Sequence, residues 1–167
     1  MVACRLLAAL ALSGCALSHA GLRPGVATRQ DVLGVLGPPA MQWANPDGSS
    51  QLSYPSGPSG YESRMVYLDA GGRLVRIDYV TRDEILDTIV AGMSEADVVR
   101  RIGPPVPEWT ANFDARNERA LEWRYCSDHS EIARFDVLID RDRNTVRSSM
   151  RITEDCGRGV CYCGHSS

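Results

Sequence analysis

The sequence contains no lysine, because all 18 basic residues in its 167 residues are arginine. This absence excludes enzymes that form a Schiff base through lysine and nucleotide-binding loops that hold phosphate with lysine. Aromatic residues are also scarce, with two phenylalanines and three tryptophans. The formal net charge is −3, so the protein lacks the strong positive field that attracts nucleic acid, and we expect no nucleic-acid partner.

The apolar run near the N-terminus, residues 6–12, is too short to span a bilayer. It follows Arg5 and precedes small residues, a pattern typical of an export signal. The segment Leu12, Ser13, Gly14, Cys15 resembles a lipobox, in which the thiol of Cys15 would carry lipid through a thioether. The alternative is an ordinary secretory signal in which Cys15 is incidental.

The lipobox interpretation predicts where the protein works. Cleavage before Cys15 would remove residues 1–14 as a signal peptide and leave residues 15–23 as a lipidated tether. Ala16 rather than Asp follows the cysteine, which in this class of lipoproteins indicates sorting to the outer membrane. We therefore expect an anchor in outer-membrane lipid on the periplasmic face. Acyl chains such as palmitate would contribute ~0.8 kcal/mol per buried methylene.

Apart from Cys4 and Cys15, the sequence has four cysteines: Cys126, Cys156, Cys161 and Cys163. In an oxidising periplasm they suggest two disulfides, with three possible pairings. Cys161 and Cys163 are only two residues apart, so we favour a bond from Cys126 to one cysteine of the C-terminal tail. The alternative is a metal site formed by the three tail cysteines and His165, although its C-x4-C-x-C-x-H spacing departs from that of structural zinc sites.

One pattern occurs twice along the chain. The following residues recur at an offset of 66 positions: Gly37-Pro38-Pro39 and Trp43 as Gly103-Pro104-Pro105 and Trp109, and Thr28 and Asp31 as Ser94 and Asp97. Such a repeat predicts two copies of one small unit. We expect the first unit at residues 24–81, the second at 82–153, and a tail rich in cysteine and glycine at 154–167.

Each copy predicts a short helix followed by strands. Thr28 and Ser94 begin capping boxes, and Gly37 and Gly103 stand where a helix ends. Another helix is predicted at 82–90. Strands are predicted at 51–54, 64–69 and 73–80, and again at 120–126, 132–140 and 145–153. The expected fold class is α+β, with two tandem repeats, each having one or two short helices packed on a three-stranded antiparallel meander.

The candidate functional residues outside the lipobox are two tryptophans. Trp43 and Trp109 follow the Gly-Pro-Pro stops at equivalent positions. We expect each to pack over the end of its own helix; the alternative is a pair of aromatic anchors for a partner protein. Of the three histidines, His19 lies by the expected membrane tether, His165 lies in the tail, and His129 follows Asp128 in a loop with no convincing nucleophile nearby in the pattern. We therefore expect no enzyme activity, no cofactor and no catalytic residues.

The repeated motifs resemble the BamE (SmpA/OmlA) family of outer-membrane lipoproteins. The segments that carry this resemblance are Gly92-Met93-Ser94, Ile102-Gly103-Pro104-Pro105, Trp123-Arg124-Tyr125 and Val66-Tyr67-Leu68-Asp69-Ala70-Gly71-Gly72. The resemblance covers about residues 22–153. It implies an accessory subunit of the machinery that folds β-barrel proteins into the outer membrane, acting through protein contacts.

A tandem pair of such units is also similar to the β-lactamase inhibitory protein, which grips an enzyme with a concave sheet. This second resemblance implies an alternative function, an inhibitor or binding module for a periplasmic enzyme. The partner would be a soluble protein in that case, and barrel-assembly subunits in the first.

Overall fold

The structure, a computed structural model, describes residues 21–157 and 159–164. The lipobox, Cys4, His19 and His165 lie outside the described residues. The helices are α1 (Arg29–Leu36), α2 (Asp83–Leu86) and α3 (Glu95–Ile102), with 3-10 helices at Pro107–Trp109 and Asp114–Arg116. The strands are β1 (Met41–Ala44), β2 (Ser50–Tyr54), β3 (Arg64–Leu68), β4 (Leu74–Tyr79), β5 (Ala111–Phe113), β6 (Glu118–Cys126), β7 (Ile132–Asp140) and β8 (Thr145–Thr153).

The fold is α+β, with two four-stranded antiparallel sheets and few helices. Sheet 1 has the order β1-β2-β3-β4, and sheet 2 has the order β5-β6-β7-β8. The prediction of three strands per sheet was wrong, because β1 and β5 were missed. These edge strands have four and three residues, too few for alternation in the sequence to identify a strand. Only their pairing with β2 and β6 defines them as strands.

The predicted helix at 82–90 is shorter in the structure. It spans Asp83–Leu86, and the chain continues through turns. Thr88, Ile89 and Val90 follow, and β-branched side chains lose rotamer freedom in a helix. Ile89 is nevertheless buried, so the apolar pattern identified a residue of the core within a segment that is not helical.

Helices α1 and α3 begin and end in the same way. The hydroxyl of Thr28 accepts a hydrogen bond from the backbone N–H of Asp31 at 3.3 Å, and that of Ser94 accepts one from Asp97 at 3.1 Å. At the other end, Gly37 has φ 76° and Gly103 has φ 82°, a backbone conformation that residues other than glycine rarely adopt. The prolines that follow cannot continue a helix.

Two clusters of buried side chains form the core. The first lies between α1 and sheet 1 and includes Val32, Leu52 and Val66. The second lies between α3 and the inner face of sheet 2, and it includes Ile102 and Phe135. Met65 of β3 and Val80 after β4 also belong to the second cluster, so the two halves of the chain share one core.

Helix α3 contacts both sheets. Gln51 of β2 donates from Nε2 to the carbonyl oxygen of Arg100 at 2.6 Å, and Trp123 of β6 donates from Nε1 to that of Gly103 at 3.1 Å. Ser53 of β2 lies beside Gly103, and a Cβ added to this glycine would stand 2.7 Å from the serine Oγ. The end of α3 is thus enclosed by residues of both sheets.

The tail is fastened to sheet 2 by disulfide and backbone bonds. Cys126 at the end of β6 is bonded to Cys163, and Cys156 is bonded to Cys161. The backbone N–H of Ile132 donates to the carbonyl oxygen of Cys161 at 2.7 Å. Three cysteines of the alternative metal site are therefore oxidised and lack the thiolates that bind zinc.

Gly103→Ala should destabilise the protein more than Gly37→Ala. Both glycines have positive φ, so an alanine at either position should be strained and should lower the free energy of unfolding by roughly 1–3 kcal/mol. A methyl group at 103 also meets Ser53, whereas one at 37 meets nothing within 4 Å. The overpacking should add roughly 1–3 kcal/mol, measured by urea unfolding. Ser53→Ala should recover much of this added cost in a double-mutant cycle. Equal costs at the two glycines would contradict the packing of α3 on sheet 1.

Removing the Cys126–Cys163 disulfide should destabilise the protein more than removing Cys156–Cys161. The bonded cysteines are 37 and 5 residues apart, respectively. Loop-closure entropy in the unfolded chain predicts losses of roughly 4 and 2 kcal/mol. Paired Cys-to-Ala variants compared by urea unfolding under oxidising conditions measure the difference. A larger loss from Cys156→Ala with Cys161→Ala would show that the long bond does not govern stability.

Candidate protein-binding surfaces

The face of sheet 1 that points away from α1 carries a row of polar and aromatic side chains. Trp43, Gln51, Tyr67 and Arg76 are cross-strand neighbours, one from each strand. They face away from α1 because strand residues alternate between faces, and the neighbouring Leu52 packs on the α1 side. Gln51 is buried, whereas Trp43 and Tyr67 are half-buried. Gln51 and Tyr67, in the middle of this row, form the floor of a groove.

Helix α3 forms the wall of this groove. Between helix and sheet lies an open cavity of about 430 Å³. It is lined by Gln51, Tyr67, Met93, Asp97, Arg100 and Arg101. Met93 and Tyr67 both pack against the second core cluster, so the apolar lining is supported from below. We call this space the α3 groove.

Several cations border the α3 groove. The guanidinium of Arg76 lies 3.7 Å from the ring centroid of Tyr67 and forms an ion pair with Asp78 at 2.8 Å. Arg100 is half-buried and donates to the side-chain oxygen of Asn45. Arg101 is exposed and has no hydrogen-bond or ion-pair partner among the described residues. The cationic ends of α3 side chains are therefore available to a ligand.

The second surface is the face of sheet 2 opposite its core, which we call the outer face. Its centre is an ion-pair network. Arg124 donates to both carboxylate oxygens of Glu154, at 2.9 and 2.8 Å, and Arg134 bridges Glu154 and Glu122 at 3.1 and 2.8 Å. The hydrogen bonds from Arg124 hold the pKa of Glu154 below its ordinary value. This part of the face is polar and internally paired.

Two carboxyl groups stand directly opposite each other on the outer face. Glu122 of β6 is the cross-strand neighbour of Asp136 of β7. Burial raises the pKa of Glu122, and the negative charge of Asp136 raises it further. Burial also raises the pKa of Asp136, although a hydrogen bond with the Glu122 carboxyl group and the charge of Arg134 oppose this. The two carboxylates therefore repel each other when both are ionised.

The two candidate tryptophans lie on different surfaces. Trp43 is in β1 and packs against the second core cluster, which is built mostly from the other half of the chain. Trp109 ends a 3-10 helix, and the guanidinium of Arg134 lies 4.5 Å from its ring centroid on the outer face. Their equal spacing in the sequence does not give them equal surroundings. Met150 and Ile152, 44% and 48% exposed, add apolar surface on β8.

The other candidate residues are dispersed. His129 is exposed in the turn between β6 and β7. Within residues 21–157 and 159–164, no three His, Cys, Asp or Glu side chains are placed to hold a metal ion. None of the helices in this part of the chain is long and apolar enough to cross a membrane.

Comparisons with protein-family models, curated proteins and solved structures find no match to this chain. Sequence reasoning missed Gln51, Tyr67 and Arg101. Neighbouring residues of a strand point to opposite faces, so the apolar Leu52 and Val66 predict that Gln51 and Tyr67 lie on the other face of the sheet. This alternation could have identified the two residues from the sequence. Nothing in the sequence places Arg101 beside them, because α3 meets sheet 1 only in the tertiary structure.

Asp136→Asn should stabilise the protein at neutral pH and not in acid. The folded-state pKa values of Glu122 and Asp136 are raised, so their ionisation opposes folding above those pKa values. Removing one charge should increase the free energy of unfolding by roughly 0.5 kcal/mol, the scale of cross-strand charge pairs. The gain should disappear as the pH falls through the raised pKa values, where the pair is already protonated. Urea unfolding of both proteins across pH 4–8 measures this gain in the free energy of unfolding.

Asp142→Asn is the matched control for this prediction. Asp142 is exposed in the turn between β7 and β8, away from the carboxyl pair. Asp142→Asn should give no comparable gain in the free energy of unfolding at neutral pH, and so none that disappears in acid. A stabilisation by Asp136→Asn that is independent of pH would contradict repulsion within the pair.

Proposed function

We propose that this chain is a lipid-anchored envelope protein that acts through protein contacts, as an accessory factor in the assembly of outer-membrane β-barrel proteins or in envelope integrity. Two features support the proposal. Leu12, Ser13, Gly14 and Cys15 resemble a lipobox, which supports a lipid anchor at Cys15. The second feature is the repeated pattern of contacts in the two halves, which supports a pair of BamE-like units.

One contact in this pattern joins each helix start to the hairpin turn that precedes the fourth strand of its sheet. The backbone N–H of Arg29 donates to the carbonyl oxygen of Gly72 at 2.8 Å, and that of Glu95 donates to Asn144 at 3.0 Å. The donors are 66 residues apart, as in the sequence repeat. Asn144 has φ 54° and Gly72 has φ 75°, so the second hairpin turns without the glycines of the first.

Another contact joins each helix end to the second strand of its sheet, and this observation carries the proposal. Tyr54 of β2 donates from its hydroxyl to the carbonyl oxygen of Gly37 at 3.1 Å. Trp123 of β6 donates from Nε1 to that of Gly103, also at 3.1 Å. Different aromatic residues thus make the same bond in both halves, which supports descent from one unit.

An alternative proposal is an inhibitor or binding module for a soluble periplasmic enzyme. The α3 groove favours it, because a groove that includes the half-buried aromatic ring of Tyr67 can hold a loop of a partner. In that case the protein would form a one-to-one complex with the enzyme in solution. Its loss would not change the permeability of the outer membrane.

Crosslinking in native outer membranes tests the first proposal. The full chain should sediment with the outer membrane and recover barrel-assembly subunits, identified by mass spectrometry. Cys15→Ser should abolish the mass added by acyl chains and most of the recovery, because the anchor is lost. Cys4→Ser, a thiol substitution outside the lipobox, is the matched control and should retain both.

Recovery of one soluble enzyme without any assembly subunit would overturn the accessory role and favour the inhibitor. Retention of acyl mass in Cys15→Ser would overturn the lipobox itself. A deletion strain that is more sensitive to large antibiotics would support the accessory role independently of the crosslinks.

A further inference from the structure

The α3 groove is positively charged on a protein that is negative as a whole. The chain has a formal net charge of −3. Arg100 and Arg101 line the groove, whereas Asp97 is the carboxylate among its lining residues in the described part of the chain. The local charge is therefore opposite to the net charge, which is how a surface selects an acidic partner.

The charges in the groove differ in how far they are already paired. Asp78 pairs with Arg76, and Asp97 accepts a hydrogen bond of 2.6 Å from the Ser94 hydroxyl at the helix start. No carboxylate of the described residues forms an ion pair with Arg100 or Arg101. Arg100 is held in place by the neutral Asn45, and Arg101 is exposed. The guanidinium groups of the adjacent residues Arg100 and Arg101 can therefore bind a carboxylate of a ligand.

The floor of the groove suits an apolar or aromatic group beside that carboxylate. Tyr67 and Met93 are partly buried and rest on the shared core. The guanidinium of Arg76 lies over the Tyr67 ring, so these two side chains already contact each other before any ligand arrives. Preorganised aromatic side chains bind with little loss of conformational entropy. A cavity of about 430 Å³ has room for a short peptide segment.

We propose that the α3 groove binds an extended segment of a protein partner that carries an acidic side chain next to an apolar or aromatic one. This inference rests on the proposed function, since it supposes that the chain acts through protein contacts. The carboxylate meets Arg100 and Arg101, and the apolar side chain lies on Tyr67 and Met93. The enclosing helix and the apolar floor favour a peptide over an anionic membrane surface, which would meet a flat or convex basic patch.

Selection from a library of displayed random peptides tests the inference. The bait is the oxidised full chain with Cys15→Ser, which removes the proposed lipid site. Enriched peptides should carry Asp or Glu adjacent to an apolar residue. Their affinity should fall roughly tenfold or more with Arg101→Glu and less with Arg101→Gln, and it should weaken with added salt. Arg101 is exposed, so these variants should fold.

Arg23→Glu is the matched control. Arg23 is exposed beside Leu22, which belongs to the core cluster on the α1 side of sheet 1. The charge change is the same, but the site is on the opposite face, so peptide affinity should be unchanged. An equal loss with Arg23→Glu would indicate a general charge effect and overturn the groove as the site.

Two further results would overturn the inference. One is the absence of acidic residues among the selected peptides. The other is binding to anionic phospholipid vesicles that depends on Arg101 and is not displaced by the selected peptides. Crosslinks to barrel-assembly subunits that persist in Arg101→Glu, together with failed peptide selection, would reject the groove and leave the proposed function intact.

Discussion

The last turn of α3 determines how the two halves of the molecule meet. The final carbonyl groups of a helix have no partner within it and must be satisfied from outside. Sheet 1 supplies Gln51 for the carbonyl of Arg100, and sheet 2 supplies Trp123 for that of Gly103. A helix of eight residues is not stable alone, so it depends on both sheets. The two sheets are positioned by the same helix that they stabilise.

The α3 groove is a consequence of this arrangement. α3 covers the part of sheet 1 near Met65 and leaves the row from Trp43 to Arg76 only partly covered. In most sheets such a face would be either buried or fully solvated. Here Arg100 and Arg101 of α3 lie beside it, and its exposed part includes the half-buried ring of Tyr67. A contact required for stability therefore also creates the surface that we propose for binding.

The outer face of sheet 2 shows what an arginine-only protein can build. Arg124 binds Glu154 through two parallel hydrogen bonds, a geometry that the planar guanidinium allows and an ammonium group does not. Arg134 bridges two carboxylates and also lies against Trp109. The repulsion between Glu122 and Asp136 remains as a local cost within an otherwise paired network.

The sequence by itself determined the α+β class, the ends of α1 and α3 and six of the eight strands, because capping hydroxyls, glycines and alternation are local signals. The short edge strands β1 and β5 depend on pairing with β2 and β6, which no local pattern reveals, whereas the β-branched residues after α2 are a local reason for its early end. Pairing of Cys126 with Cys163 follows from where the tail lies against β7. Only the tertiary structure separated Trp43 from Trp109 and brought Arg101 beside Tyr67, because these contacts arise where one helix end meets two sheets.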